Sequence, residues 1–408
     1  MMRNVMDQDW FCDPVSVRLL EILGTYGKPA RYVGGCVRDA LIGKAVHDID
    51  IATPELPQTV LKLLKENAIK AIPTGIEHGT ITAIIQGRSY EITTLRADIS
   101  TDGRRAKVVF CEDWLEDAKR RDFTFNALSL DGEGTLYDPF DGQTDLRAGR
   151  VRFIGSAHER IAEDYLRLLR FFRFNAYYAK SGVDEEALQA CCDMANGLNQ
   201  LSGERVAQEL LRLLEAPRPA KWINLMIRHD IIQKIIPDIL RQSELEMLCA
   251  FEDHPDGMRR LACLLPACEE AIKNVAKRLR LSNQNYKRLR LARCTAMLLD
   301  PMKGQNHLRC FLYRNGTQAA RDQLFLYWAE KGFSGIGPRE QQVLSQIDDW
   351  QSAPVAFPLK GADLLEQGFQ AGPRMGHRLK EIEFWWCENG CYGNKDDCLR
   401  ELTRRQSE

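Results

Sequence analysis

Two glycines, an arginine and two aspartates crowd the first fifty residues. Val33-Gly34-Gly35-Cys36-Val37-Arg38-Asp39 puts a glycine pair between a strand-like run and a short helical pattern. Such a turn brings backbone N–H groups and a helix start close to an anion such as a triphosphate. Arg38 would add a charge-assisted contact to the same phosphates. The segment fits neither GxGxxG nor GxxxxGK(S/T), which disfavours the common dinucleotide and P-loop readings. Taken alone it is also a tight turn with Arg38 in a structural ion pair. Asp48-Ile49-Asp50 follows, on a predicted strand where positions i and i+2 share a face. Like charges side by side repel unless a cation lies between them, and hard oxygen ligands suit Mg²⁺. Glu91, in the run SYEITTL, would supply a third carboxylate from a neighbouring strand. In isolation such a pair is a solvated strand edge. Its place just after the Gly-Gly-x-x-Arg turn favours metal.

GGCVRD followed by DID resembles the signature of class II nucleotidyltransferases, which comprise the bacterial and eukaryotic CCA-adding enzymes and the bacterial poly(A) polymerases. Three further segments match in order: Arg120-Arg121-Asp122-Phe123-Thr124-Phe125-Asn126-Ala127, Tyr137-Asp138-Pro139-Phe140-Asp141-Gly142, and Glu163-Asp164-Tyr165-Leu166-Arg167-Leu168-Leu169-Arg170. The resemblance runs over residues 30–240. It implies that Asp48 and Asp50 hold two Mg²⁺ ions, one activating an RNA 3′-hydroxyl and the other clamping the triphosphate and the leaving pyrophosphate. Gly35, Arg38 and Arg121 stand at nucleotide-binding positions of the family. Without that context, Arg120-Arg121-Asp122 reads as a surface salt-bridge cluster.

Asp164, Arg167, Arg170 and Arg173 recur every third residue on a predicted helix. By pattern they are the polar row of an amphipathic helix whose leucines and phenylalanines pack. The resemblance implies a sharper role, with Asp164 and Arg167 acting as an amino-acid template for the incoming base. Cytosine and adenine each present an amino donor beside a ring-nitrogen acceptor. A carboxylate accepting from the first and a guanidinium donating to the second suit both bases. Uracil and guanine reverse the pattern and meet donor to donor. Arg170 and Arg173 match further nucleotide-binding positions.

Arg96-Ala97-Asp98-Ile99-Ser100-Thr101-Asp102-Gly103-Arg104-Arg105 is polar, lacks a periodic apolar pattern and carries an Asp-Gly turn signal, so it reads as a surface loop. In CCA-adding relatives this place holds a flexible loop needed for the switch to ATP, which CC-only relatives shorten or lack. Pro73-Thr74-Gly75-Ile76-Glu77-His78-Gly79-Thr80 resembles the CCA type rather than the Gly-basic-basic-Phe segment of the poly(A) polymerases. The resemblance therefore implies template-independent addition of CCA to tRNA 3′ ends from CTP and ATP, with release of pyrophosphate. The alternatives are a bacterial poly(A) polymerase, a CC-only or A-only enzyme, or a catalytically dead RNA-binding relative.

These residues need a scaffold. Residues 1–155 mix short strand runs with turns: RYVGG, IDIAT, the hairpin GTITAIIQ/SYEITTL, and a second hairpin within NALSLDGEGTLYDPF. Beyond residue 157 the apolar period becomes helical, clearest in HERIAEDYLRLLRFFRFNAYYA, ERVAQELLRLL and PAKWINLMIRHDIIQKIIP. The expected fold is α+β: a catalytic head with a mixed β-sheet and flanking helices over 1–155, a helical neck bearing the base template over 156–215, and an all-α body and tail over 216–408 that binds tRNA.

The 408 residues are 28% charged and 44% hydrophobic, ordinary for a folded chain, and no apolar run reaches the ~20 residues of a membrane span. No secretory signal is visible. Lys plus Arg is 56 against 57 Asp plus Glu, so an RNA-binding surface has to be local. Lys273, Lys277, Arg278, Arg280, Lys287, Arg288, Arg290 and Arg293 fall in a stretch without an acid. Of these, Lys277, Arg278, Arg280, Lys287, Arg288 and Arg290 are the candidate tRNA contacts, set against a merely solvated helix face. Tyr286 among them could stack on a base. Thirteen cysteines, an odd number, read as free thiols in a reducing cytosol. Cys387, Cys391 and Cys398 lack a clean CxxC pair and a fourth ligand, so zinc is not expected. His229-Asp230 lies in an apolar helical pattern without partner ligands, and no phosphohydrolase activity is expected there. Monomer and homodimer both remain open.

Overall fold

The protein is described from a computed structural model covering residues 5–101, 106–180, 182–239, 243–295 and 298–406. The chain forms two compact units, one of Met1–Glu209 with Leu225–Lys234, the other of Leu210–Asn224 with Ile235–Glu408.

Among the described residues the first unit has nine strands: β1 (Arg31–Val33), β2 (Ile49–Thr53), β3 (Lys70–Gly75), β4 (Thr80–Ile85), β5 (Arg88–Thr94), β6 (Arg96–Thr101), β7 (Ala106–Phe110), β8 (Ser129–Leu130) and β9 (Leu136–Tyr137). Seven of them make a mixed sheet in the order β3-β4-β5-β2-β1-β8-β9. Only the central β2–β5 pair is parallel; the other neighbours run antiparallel. Both expected hairpins form, β4–β5 and β8–β9. Alternation explains why the sheet forms: Ile49 and Ile51 of β2, Ile81 and Ala83 of β4, and Tyr90 and Ile92 of β5 are all buried. Each such aliphatic or aromatic side chain contributes about 1.5–3 kcal/mol on burial.

The polar stretch 96–105 corrects the loop expectation in part. Residues 96–101 and 106–110 are strands paired with each other, Arg96 opposite Phe110 and Asp98 opposite Val108. The segment Asp102, Gly103, Arg104 and Arg105 lies outside the described residues. An antiparallel pair separate from the main sheet needs no buried face, so no apolar alternation announced it.

Two long helical patterns are also broken where continuity was expected. The first gives a helix Ala157–Glu163 and a second Leu166–Tyr178, with Asp164 extended between them at φ −154°, ψ 104°. The Asp164 carboxylate accepts from the Leu166 N–H at 3.1 Å, the local competition by which Asp interrupts a helix. Tyr165 seats its ring against Gly197, where an added Cβ would stand 2.0 Å from the ring. The second pattern gives the helix Pro219–Arg228 and a short turn Ile232–Lys234, separated by Asp230 in the left-handed region at φ 53°.

The second unit is helical throughout its described residues. A lattice of buried charges ties its helices together. Arg259 and Arg260, 5% and 2% exposed, lie on the helix Gly257–Leu264. Arg260 donates to the Leu214 and Ala216 carbonyls and pairs with Glu252. Arg259 pairs with Asp322 at 3.1 Å on the long helix Gly304–Glu330, which bends at Gly316.

Candidate active site

The Gly34-Gly35 turn leads from β1 into the helix Gly35–Leu41. Gly34 sits at φ 69°, ψ −120°, and a Cβ there would approach Arg121 Nη1 to 3.0 Å, so both conformation and space call for glycine. Arg38 is 8% exposed and clasps Asp39 through Nε (3.0 Å) and Nη2 (2.9 Å), while Nη1 donates to Asn126 Oδ1 at 2.6 Å. Three of its five N–H groups are therefore engaged. Its guanidinium also lies over the rings of Phe174 (5.1 Å) and Tyr178 (4.7 Å), and Tyr178 Oη donates to Asp39 at 2.7 Å. Arg38 is thus both a structural ion-pair partner and a neighbour of the glycine turn.

Asp50 stands on β2, and Asp48 comes one residue before the strand begins rather than on it. In the parallel ladder Asp50 is directly opposite Glu91 of β5, which places the two on one face. Asp48 and Glu91 are exposed and Asp50 is half-buried. Burial, then the Glu91 carboxylate, pushes the Asp50 carboxyl up to about 6; Asp48 adds to the rise, while Arg121 and Arg38 oppose it. The site is a carboxylate cluster short of positive charge. Its donors are all hard oxygens, which fits a hard divalent cation. Among the described residues no group of three or more His, Cys, Asp or Glu forms a complete metal cage.

Arg121 donates through Nη1 to the Asn126 carbonyl (3.2 Å) and through Nη2 to Asp117 (3.3 Å), holding it against the glycine turn. Asp117, 3% exposed, also pairs with Arg120 at 2.7 Å. Asn126 links two parts of the site: it accepts from Arg38 and donates through Nδ2 to Asp122 at 2.8 Å. Asp122 in turn pairs with Arg170 at 2.6 Å. Burial would raise the Asp122 carboxyl, but Arg170 and the Asn126 hydrogen bond outweigh it and hold it below the usual range. Arg170 and Arg173 converge on Glu209, at 3.7 and 2.6 Å. A continuous chain of polar contacts thus joins Arg38, beside the glycine turn, to the helix Leu166–Tyr178.

Asp164 and Arg167 lie at the start of that helix, Asp164 outside it and Arg167 in its first turn. This corrects the single-helix row. Asp164 accepts from Arg205 at 2.7 Å. Arg167 donates to the Arg160 carbonyl (3.1 Å), the Arg120 carbonyl (2.8 Å) and the Glu163 carboxylate. Both side chains are held by other residues of the first unit, while the Arg167 backbone N–H donates to the Asp164 carbonyl at 2.9 Å. The phenylalanines beneath, Phe123, Phe125, Phe153, Phe171 and Phe174, pack edge to face and stacked. Sequence reasoning missed Asp39, Asp117, Asn126, Arg205 and Glu209 as positioning residues. Asp39 and Asn126 lie inside the family motifs; Arg205 and Glu209 had no signal beyond a helical pattern.

The basic run forms the helices Glu269–Arg278 and Asn283–Arg293. Lys273, Lys277, Arg280 and Lys287 are exposed, while Arg278, Tyr286 and Arg290 are half-buried. Arg290 is 3.9 Å from Glu269. Arg288 and Arg293 turn inward, contrary to a shared outward face. Arg288 pairs with Asp322 (2.7 Å) and Asp256 (2.6 Å), and Arg293, 7% exposed, pairs with Glu330 at 2.7 Å.

A glycine turn and a carboxylate cluster on adjacent strands define a nucleotidyl-transferring head, and residues 30–152 match the family described as "Poly A polymerase head domain". Residues 182–242 match "Probable RNA and SrmB- binding site of polymerase A". CCA tRNA nucleotidyltransferase 1, mitochondrial, of Danio rerio is 34% identical over 95% of this chain and 90% of its own length. The CCA-adding enzyme of Levilactobacillus brevis is 33% identical over 90% of this chain and 91% of its own. The crystal structure of the Bacillus stearothermophilus CCA-adding enzyme in complex with CTP superimposes with a TM-score of 0.79 at 26% identity, covering 100% of this chain and 98% of the other. The chain belongs to the family of CCA-adding enzymes, the tRNA nucleotidyltransferases. No helix among the described residues is long and apolar enough to cross a membrane.

Proposed function

We propose that the protein adds C, C and A in turn to tRNA 3′ ends from CTP and ATP. The observation that carries this reading is the face on which Asp50 and Glu91 meet, with the Asp48 charge close by, beside the Gly34-Gly35 turn that Arg38 and Arg121 line. Asp48 and Asp50 hold Mg²⁺, with Glu91 adding negative charge alongside. Two such ions, when bound, supply Lewis acidity to the attacking 3′-hydroxyl and the leaving pyrophosphate. Gly35, Arg38 and Arg121 bind and orient the triphosphate, and Asn126 keeps the two arginines in place. Asp164 accepts from the amino group of cytosine or adenine and Arg167 donates to the ring nitrogen. Their anchoring to Arg205, Glu163 and two carbonyls presets this geometry before a base arrives. Arg170 and Arg173 support the template through Asp122 and Glu209.

We further infer that residues 1–155 act as catalytic head, 156–215 as a neck bearing the template, and 216–408 as a body holding tRNA. The exposed lysines 273, 277 and 287, with Arg278, Arg280 and Arg290, would meet phosphate. Thirteen cysteines, all free, suit a reducing compartment such as the cytosol.

The test uses purified protein, a tRNA lacking its 3′ CCA, CTP and ATP, with Mg²⁺ or with excess chelator. Extension should require the metal, and Asp48→Ala or Asp50→Ala should abolish it while leaving tRNA binding within about twofold, because the substitution removes stabilisation of the transition state and spares ground-state binding. Substantial turnover by either variant would reject the metal assignment.

A further inference from the structure

Three buried thiols of the second unit lie together although their positions in the chain are far apart. Cys310 belongs to the helix Gly304–Glu330, Cys387 to the helix Pro373–Glu388, and Cys391 to the turn after it; each is 1–2% exposed. Cys387 Sγ donates to the Cys310 carbonyl at 3.6 Å, and Cys391 Sγ stands 4.0 Å from the carbonyl of Arg309. Consecutive carbonyls of one helix are ~1.5 Å apart along its axis and ~100° apart around it, so both sulfurs sit against the same turn of that helix. The Cys387 thiol is hydrogen-bonded to Cys391 on one side and to Cys310 on the other. Cys398, grouped with Cys387 and Cys391 by sequence, is not the third member.

Two arginines complete the cluster. Arg309 Nε donates to the Gly390 carbonyl at 2.6 Å and Nη2 to the Cys391 carbonyl at 3.4 Å, holding Cys391 at φ 58°. The Arg314 guanidinium also acts on the Cys387 thiol. The hydrogen bond from Cys387, helped by both guanidiniums and opposed by burial, holds the Cys391 thiol below the usual range. Tyr392 next to it is 56% exposed, so the cluster lies one residue beneath the surface. Among the described residues these thiols are not part of a group of three or more His, Cys, Asp or Glu that could hold a metal.

We propose that Cys391 and Cys387 form a reversible oxidation site, Cys391 being the thiol attacked by a hydroperoxide and Cys387 the thiol that resolves it. The Cys391 thiolate attacks one oxygen of hydrogen peroxide; the O–O bond breaks, an S–O bond forms, and hydroxide leaves. The sulfur is oxidised to a sulfenic acid and the peroxide is reduced. Cys387 then attacks that sulfur; its proton leaves with the hydroxyl as water and an S–S bond forms. A dithiol reductant reverses the process by exchange.

The full-length protein is reduced, exposed to hydrogen peroxide, alkylated and digested with trypsin. Cys387 and Cys391 share the peptide 381–395, and Cys310 lies alone in 310–314. The expected result is a 381–395 peptide lighter by two hydrogens and unalkylated, restored by dithiothreitol, with 310–314 still alkylated. Cys391→Ser should leave Cys387 open to alkylation after the same treatment, whereas Cys310→Ser should leave the internal bond intact; circular dichroism checks that each variant folds. The wild-type peptide is decisive whether or not the variants fold. Full alkylation of 381–395 while exposed Cys12 and Cys268 oxidise would overturn the proposal, as would a cross-link between 381–395 and 310–314.

Discussion

Asp164 and Arg167 are the residues proposed to choose the base, and each can be removed without touching the carboxylates proposed to serve the metal. Asp164→Ala deletes the acceptor for the amino group and Arg167→Ala the donor for the ring nitrogen. A hydrogen-bonded base pair of this kind is worth ~1–3 kcal/mol of discrimination, so each variant should narrow the preference for CTP and ATP over UTP and GTP by about 5- to 150-fold. The ratio of incorporation efficiencies for the four nucleotides reads this directly. Wild-type ratios in both variants would return these side chains to a structural role, Asp164 as a break between helices and Arg167 as a clamp on Arg160 and Arg120. At this scale the sequence showed residues that stand close in the chain, such as Asp48 with Asp50 and Gly35 with Arg38. It did not show Asn126 holding Arg38 from 88 residues away, because a hydrogen bond between distant segments leaves no spacing to read.

The hairpin β6–β7 is the element with the most specific expected function. Deleting residues 99–105 joins Asp98 to Ala106 and leaves three register pairs, Arg96 with Phe110, Ala97 with Val109 and Asp98 with Val108. The two residues left between the strands are enough for a tight hairpin turn. The shortened enzyme should still add CC and should fail at the terminal A, as sequencing of its products would show. Equal loss of both steps would make the hairpin a structural part of the head, and survival of both would remove its role in the nucleotide switch. Alternation of apolar and polar residues made β4 and β5 legible, since each buries mainly one face, whereas β2 buries Ile51, Ala52 and Thr53 in succession. The breaks at Asp164 and Asp230 were not legible, because the apolar period continues straight through both while a side-chain cap and a left-handed residue interrupt the backbone.

On the scale of the whole molecule the question is how a chain of net charge −1 holds a polyanion. The exposed lysines of the basic run are the place to ask it. Lys273→Glu, Lys277→Glu and Lys287→Glu together should weaken tRNA binding at low salt and reduce the slope of log K against log salt by about 0.7–0.9 for each phosphate no longer neutralised. An unchanged slope would assign these residues to a solvated face. Arg288 does not belong in that variant: its removal would take from Asp322, 1% exposed, the closest of its partners and leave it to Arg259 and Gln318, a structural loss unrelated to tRNA. The sequence counted its charge but could not show that it points inward. The function proposed for this molecule depends on base choice by protein side chains alone at a tRNA end. It is tested most directly by giving the wild-type enzyme a tRNA without CCA and Mg²⁺, with each nucleotide singly and with CTP and ATP together, and sequencing the ends. The expected products are two C from CTP alone, CCA from the pair, and no extension by UTP or GTP. A run of A from ATP alone, or products that stop at CC when both nucleotides are present, would overturn that reading.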